Sequence, residues 1–186
     1  MSGPQATSPE SQSEMSPLSD FISNPDLRKL FDYWRSKRQG RPLPSKSDID
    51  PVEIGWALSR IFLMDYEPDS GFSYRLAGTD VSEVFGRSNL KGLNLRDILS
   101  PEGAQLVEGR WAPLVQDSAV ICMKGMVYLA AERTPMGERL LLPLADESDG
   151  PVTGLIGMTI CEWVAGDVPA ELQQSPIQAI PVSSIP

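Results

Sequence analysis

The stretch Arg139-Leu140-Leu141-Leu142-Pro143-Leu144-Ala145 decides the fold. Residues two apart in a strand share a face. Leu140, Leu142 and Leu144 then lie on one side and Leu141 and Ala145 on the other, so both sides are apolar. Val152 to Val164 repeats the pattern: Ile156, Met158 and Ile160 oppose Leu155 and Cys161. A sheet covered on one side alone alternates apolar and polar residues more cleanly. These strands therefore need a layer on each face. Pro143 predicts a bulge or a broken ladder bond, because proline removes a backbone donor.

A cover for the second face lies upstream. Asn24 is a good N-cap, Pro25 fits the first helical position, and Asp26 suits the positive end of the helix. Leu27, Leu30, Phe31 and Trp34 follow the i, i+3, i+4, i+7 spacing of one apolar stripe. Gly40 ends this helix, near 25–38, and Pro42 and Pro44 keep the next residues extended. Asp48-Ile49-Asp50-Pro51-Val52-Glu53 reads as a second helix start, with Asp50 as cap and Glu53 as its reciprocal partner. That reading accounts for Asp50, Pro51 and Glu53 better than a metal site does.

Two strands follow, Ile61 to Tyr66 and Phe72 to Ala77, joined by the turn Glu67-Pro68-Asp69-Ser70-Gly71. The connection is too short for a parallel crossover, so they form a hairpin. Alternation puts Phe72, Tyr74 and Leu76 on one face and Ser73, Arg75 and Ala77 on the other. Short helices are expected around 81–85 and 93–99, and Ser100-Pro101-Glu102 starts a longer helix containing Leu106, Val107, Trp111 and Leu114. The last third is strand-rich: Ala119 to Glu132, a turn at Thr134 to Gly137, then Arg139 to Ala145 and Val152 to Val164. Two separated antiparallel groups in one domain give an α+β sheet.

Residues 1–17 are rich in Ser, Gln and Pro without apolar periodicity. Residues 167–186 carry Pro169, Pro176, Pro181 and Pro186. Both stretches are expected to be disordered tails, leaving 18–166 as the folded domain. Apolar residues make up 41% and charged residues 22% of the 186, which is ordinary globular usage. No leader is expected, because no basic stretch precedes an apolar one. No apolar run approaches the ~20 residues of a membrane span. Cys122 and Cys161 form no C-x-x-C pair and fall in apolar strands, so they are expected to be inert core residues in a reducing cytoplasm. The chain has no histidine, which removes the commonest general base and the usual haem ligand.

The net charge of −9 is uneven. Arg28, Lys29, Arg35, Lys37, Arg38, Arg41 and Lys46 stand against Asp32 alone, so residues 28–46 carry +6 and the rest −15. Basic residues near a helix C-terminus complement its dipole, and such asymmetry also marks docking surfaces. Nucleic acid is a poor partner, because the −15 elsewhere would repel phosphates.

The chain resembles the PAS fold, and more narrowly a small bacterial PAS family once catalogued as a domain of unknown function. The resemblance rests on Tyr33-Trp34, Leu43-Pro44-Ser45, Asp48-Ile49-Asp50-Pro51, Tyr74-Arg75-Leu76-Ala77-Gly78-Thr79, Phe85-Gly86-Arg87, Leu90-Lys91-Gly92 and Leu141-Leu142-Pro143-Leu144, spread over about 30–165. Lys46 departs from it, standing where arginine is more usual. The resemblance implies a five-stranded antiparallel sheet with short helices cradled on one face, and the N-terminal helix lies outside that cradle. It implies a domain that binds a small ligand, dimerises or docks onto a kinase. None of the quoted stretches is catalytic. A flavin photosensor of this class needs a reactive cysteine on the helix after the first hairpin, and residues 79–99 hold none.

The reading is therefore a non-enzymatic sensory or docking module without a cofactor. Tyr74, Arg75, Phe85, Trp111, Met123, Met126 and Tyr128 are the candidate pocket, since adaptable methionines and aromatics suit apolar ligands. Plain core packing is the competing reading for them. Arg75 is expected to be solvated, to pair with Asp65, or to anchor an acidic ligand. Arg35, Lys37, Arg38 and Arg41 are the candidate docking residues for a regulatory kinase or other signalling protein. The N-terminal helix offers a homodimer surface. A carrier of hydrophobic molecules and a carboxylate enzyme are the alternatives. No Gly-x-Ser-x-Gly, phosphate loop or metal-ligand spacing supports the enzyme.

Overall fold

Asn24 opens the first helix as its composition requires. Its side-chain oxygen accepts from the backbone N–H of Asp26 at 2.9 Å and of Leu27 at 3.4 Å, with Pro25 behind it. The computed structural model describes residues 21–128, 134–147, 150–164 and 176–186. Helix α1 (Pro25–Arg38) ends where Gln39 turns left-handed at φ 49°. Its stripe of Leu27, Leu30, Phe31 and Trp34 is buried. Pro42 and Pro44 carry the chain to a 3-10 turn, Lys46–Asp48, capped by Ser45.

The second helix start near Asp50 is not a helix. Asp50 does cap, accepting from Val52 N, but the chain runs through turns into a short 3-10 segment, Gly55–Ala57. Glu53 does not close a capping box. It pairs with Lys37 at 2.5 Å, while the Asp50 N–H goes to the Tyr33 hydroxyl. Ordinary charge pairing with α1 takes the partner that the cap needed.

Strands β1 (Ile61–Glu67) and β2 (Gly71–Ala77) form the expected hairpin. Helices α2 (Thr79–Val84), α3 (Leu95–Ile98) and α4 (Pro101–Gln116) follow. Then come β3 (Ala119–Met126), β4 (Thr134–Ala145), β5 (Val152–Val164) and β6 (Ile177–Pro181). The order across the sheet is β2-β1-β5-β4-β3-β6, and every pairing is antiparallel. The α+β reading stands, with six strands instead of five.

Both faces are covered. On the inner face Trp111 of α4 meets Phe62 of β1 and Phe72 of β2. On the outer face α1 lies against β4 and β5, and the Trp34 indole donates to the Pro143 carbonyl at 2.9 Å. The Pro143 expectation is met as an interrupted ladder to β3, whereas Pro143 itself stays in register with Leu155 of β5. The β3–β4 ladder stops at Leu141, and the β4–β5 register slips between Leu144 and Ala145. The end of β4 is held instead by the Ala145 N–H, which donates to the Pro44 carbonyl at 3.1 Å.

Three expectations need correction. Residues 134–137 are no turn: Gly137 pairs with Gly125 and Cys161 inside β4. A Cβ at Gly137 would lie 1.9 Å from the Ile160 carbonyl oxygen, so glycine serves close strand approach there. The hairpin alternation also breaks. Leu63 pairs with Leu76 but Met64 pairs with Tyr74, so Arg75 is the extra residue of a bulge and Leu76 leaves the face of Phe72 and Tyr74.

The third correction concerns the end of the chain. Residues 177–185 are not a tail. They form β6 on the edge of β3 and a 3-10 turn, Val182–Ser184. Ile180, Val182 and Ile185 are buried, and the Arg38 guanidinium donates to the Ile185 carbonyl at 2.9 Å. The prolines misled because an edge strand tolerates them. Residues 1–17 and 167–175 lie outside the described residues.

Burying a large apolar side chain stabilises by roughly 1.5–3 kcal/mol. Deleting residues 177–186 should therefore lower the thermal midpoint by well over ~5 °C. A calorimetric midpoint within ~2 °C of the full chain would return the segment to the status of a tail.

Candidate functional site

The cradle is built from both ends of the sequence. β2 contributes Tyr74, β3 contributes Met123 and Met126, and β4 contributes Arg139. The helical side supplies Phe85 at the end of α2, Leu95 of α3, and Val107, Arg110 and Trp111 of α4. Tyr128 closes the ring, edge-on to Phe85 at 5.7 Å between centroids. The cavity they line measures about 30 Å³, two to three times the ~10–15 Å³ that one water needs on that measure.

Arg139 is the outstanding feature. It is 6% exposed, and its Nε donates to Thr159 Oγ1 on β5 at 2.8 Å. The guanidinium lies 4.2 Å from the Tyr128 ring centroid, 5.7 Å from Phe62 and 5.9 Å from Trp111. Cation–π contact offsets part of the cost of burying a charge. No carboxylate pairs with Arg139, and no Asp or Glu lines the cavity, among the described residues.

Glu138 precedes Arg139 and points to the other face, as strand geometry requires. Its Oε2 accepts from the backbone N–H of Ser23 at 3.0 Å and of Asn24 at 3.2 Å. One dipeptide of β4 thus touches the cradle on one side and the start of α1 on the other.

Burial pushes the Tyr74 phenol upward, with nearby Tyr128 adding and Arg139 opposing. Burial pushes the Cys122 thiol up to about 12 and raises that of Cys161 as well. Both thiols stay protonated at neutral pH, which removes thiolate chemistry. Cys122 is buried in β3, whereas Cys161 is only half-buried. Among the described residues no group of three or more Cys, Asp or Glu is placed to hold a metal ion.

Of the seven pocket residues read from the sequence, Tyr74, Phe85, Trp111, Met123, Met126 and Tyr128 line one cavity. Arg75 does not. The bulge turns it outward, where it is exposed beside Lys46, Asp65 and Lys91. Nor does it pair with Asp65, which binds Lys46 Nζ at 2.7 Å. Lys46 also reaches Asp146 at 3.2 Å, so lysine bridges two carboxylates as a point charge where a planar fork would grip one. The sequence reading missed Arg139. Its signal was its phase: it shares the parity of Leu141 and so belongs to an inner face.

The four basic residues singled out for docking all have partners within the chain. Arg35 pairs with Asp32 at 3.1 Å, Lys37 with Glu53, and Arg41 with Asp48 at 2.5 Å. Arg38 donates to the carbonyls of Arg41 and Ile185. Lys37, Arg38 and Arg41 fasten the end of α1 to the segments around it, while the Arg35 pair stays within the helix.

Compared with known protein families, residues 22–168 match the PAS domain. No curated protein and no solved structure matches the chain.

The cradle wall depends on one glycine. A Cβ at Gly157 of β5 would sit 2.3 Å from Cζ of Phe62, the ring stacked on Trp111. Gly157→Ala should cost about 1–3 kcal/mol through displacement of that ring, and should shift the Trp111 fluorescence. An unchanged denaturation midpoint and spectrum would show that Phe62 yields freely.

Proposed function

The chain belongs to the PAS domain family, and on that premise we propose that it is a sensory module whose cradle reports to helix α1 through strand β4. The observation that carries this is the Glu138–Arg139 pair, Arg139 at the cavity and Glu138 on the Ser23 and Asn24 amides that lead into α1. A change in what Arg139 binds shifts β4, and β4 holds both the start of α1 through Glu138 and its body through the Pro143 carbonyl. For a ligand to bias α1, its affinity must differ between two positions of the helix.

The family is generally one of non-enzymatic sensory modules, and two protonated thiols fit that class. The reading places the chain in a reducing cytoplasm, where its two free cysteines are at home. The output surface is the exposed side of α1, which carries Arg28, Lys29 and Arg35. It suits an acidic surface on a regulatory kinase or another signalling protein. The apolar stripe of α1 is spent on the chain's own sheet, so a homodimer through that stripe would have to undo the fold. The cradle is too small for the carrier alternative, since drug-sized ligands use pockets of about 300–1,000 Å³ and this cavity is about 30 Å³, while the clefts of about 630 and 360 Å³ lie outside it and carry charged residues such as Asp80, Glu83, Lys46 and Asp65.

Glu138→Gln tests the link. A charged acceptor on helix-start amides is worth about 1 kcal/mol more than a neutral one. The amides of Leu30 to Trp34 should then exchange roughly fivefold faster by native-state hydrogen exchange, with α4 unchanged. Identical exchange in α1, or an equal rise throughout the domain, would remove β4 as the link.

A further inference from the structure

A guanidinium buried in a cavity without a counter-charge lacks half of a site. Buried charges in proteins are paired or coordinated, because desolvating an ion costs several kcal/mol that only a close opposite charge offsets. Arg139 has Thr159 on Nε and aromatic rings around it. Its two terminal nitrogens have no hydrogen bond within the described residues. Arg110, half-buried on α4, lines the same cavity and likewise has no ion pair there. Two tyrosines, Tyr74 and Tyr128, add phenol hydroxyls to the polar lining.

Resting on the sensory reading above, we infer that the cradle binds a small monocarboxylate, its two oxygens held by the free fork of Arg139. Three features select this class. The terminal nitrogens of a guanidinium match a carboxylate as a bidentate pair, which a spherical anion cannot reproduce. Arg110 adds positive potential, and among the described residues no acidic side chain lines the cavity to cancel it. The cavity of about 30 Å³ admits formate with little rearrangement and excludes large or aromatic acids while Phe85 and Tyr128 stand edge to face. Thr159 holds the Nε edge, so it positions the fork toward the cavity and does not contact the ligand. A cation or a neutral apolar molecule would leave the guanidinium unpaired and forfeit the gain.

Such a ligand has three or four heavy atoms, so its dissociation constant should be on the order of 1 mM. The experiment titrates the full chain with sodium formate and with sodium acetate at fixed ionic strength. Formamide is the neutral isostere, and sodium chloride is the non-planar anion. The readouts are the side-chain NMR resonances of Arg139 Nε–H and Trp111 indole N–H, together with amide exchange in α1. Saturable shifts of both resonances with formate or acetate, at least tenfold weaker with formamide and chloride, are the expected result. Arg139→Met should abolish them, and Arg139→Lys should weaken binding at least tenfold. Because the titration uses the wild-type chain, it stands even if a variant does not fold. Equal responses to formate, formamide and chloride, or no shift with any of them up to ~0.1 M, would overturn the assignment. Loss of the anion site in that way leaves the β4 link to be judged by Glu138→Gln. Saturable shifts without any change in α1 exchange would uphold the anion site and overturn the sensory reading instead.

Discussion

A sheet that is apolar on both faces must be covered twice, and the rest of the molecule follows from that constraint. Leu140, Leu142 and Leu144 on one side of β4 and Leu141 on the other are all buried completely. Exposing either set would forfeit about 25 cal/mol per Å² of apolar surface. The short helices and α4 take the inner face, and α1 takes the outer. β4 lies between β5 and β3, with both covers touching it. A central strand with two covers is mechanically different from an edge strand or a one-sided sheet: nothing can shift on one face without being felt on the other, because close-packed interiors transmit displacement.

That geometry gives meaning to two adjacent charged residues. Glu138 and Arg139 carry opposite charges, yet they do not neutralise each other, since strand alternation aims them apart. Glu138 is satisfied by the Ser23 and Asn24 amides at the entry to α1. Arg139 is left with a hydroxyl and three aromatic rings in a cavity lined by a second arginine. The asymmetry is chemical: among the described residues the outer charge has its partners, and the inner one has no carboxylate. The proposed carboxylate site rests on that asymmetry.

Much of the architecture was legible because it rests on local rules. The cap at Asn24, the stripe of α1 and the trouble at Pro143 each follow from one residue type in one backbone state, and each appears as expected. Most of the cavity was legible too, because Tyr74, Phe85, Trp111, Met123, Met126 and Tyr128 are the large adaptable side chains of elements that must face the cradle. The failures share a cause. The bulge at Arg75, the strand at Thr134 and the edge strand β6 are all decided by what lies across the sheet, and a chain read along its length does not contain the register of its partners. Arg139 was overlooked for a related reason. A charge at the head of an apolar run looks like a solvated boundary until the strand proves to extend five residues further back, to Thr134.

The central claim is that the cradle and α1 are energetically coupled across β4. A double-mutant cycle combining Glu138→Gln with Arg139→Met, read as the free energy of opening at the α1 amides, measures that coupling directly. The expected result is an interaction energy of about 0.5 kcal/mol or more between the two sites. Additivity within about 0.3 kcal/mol would contradict it, and would show that the two faces of β4 act independently.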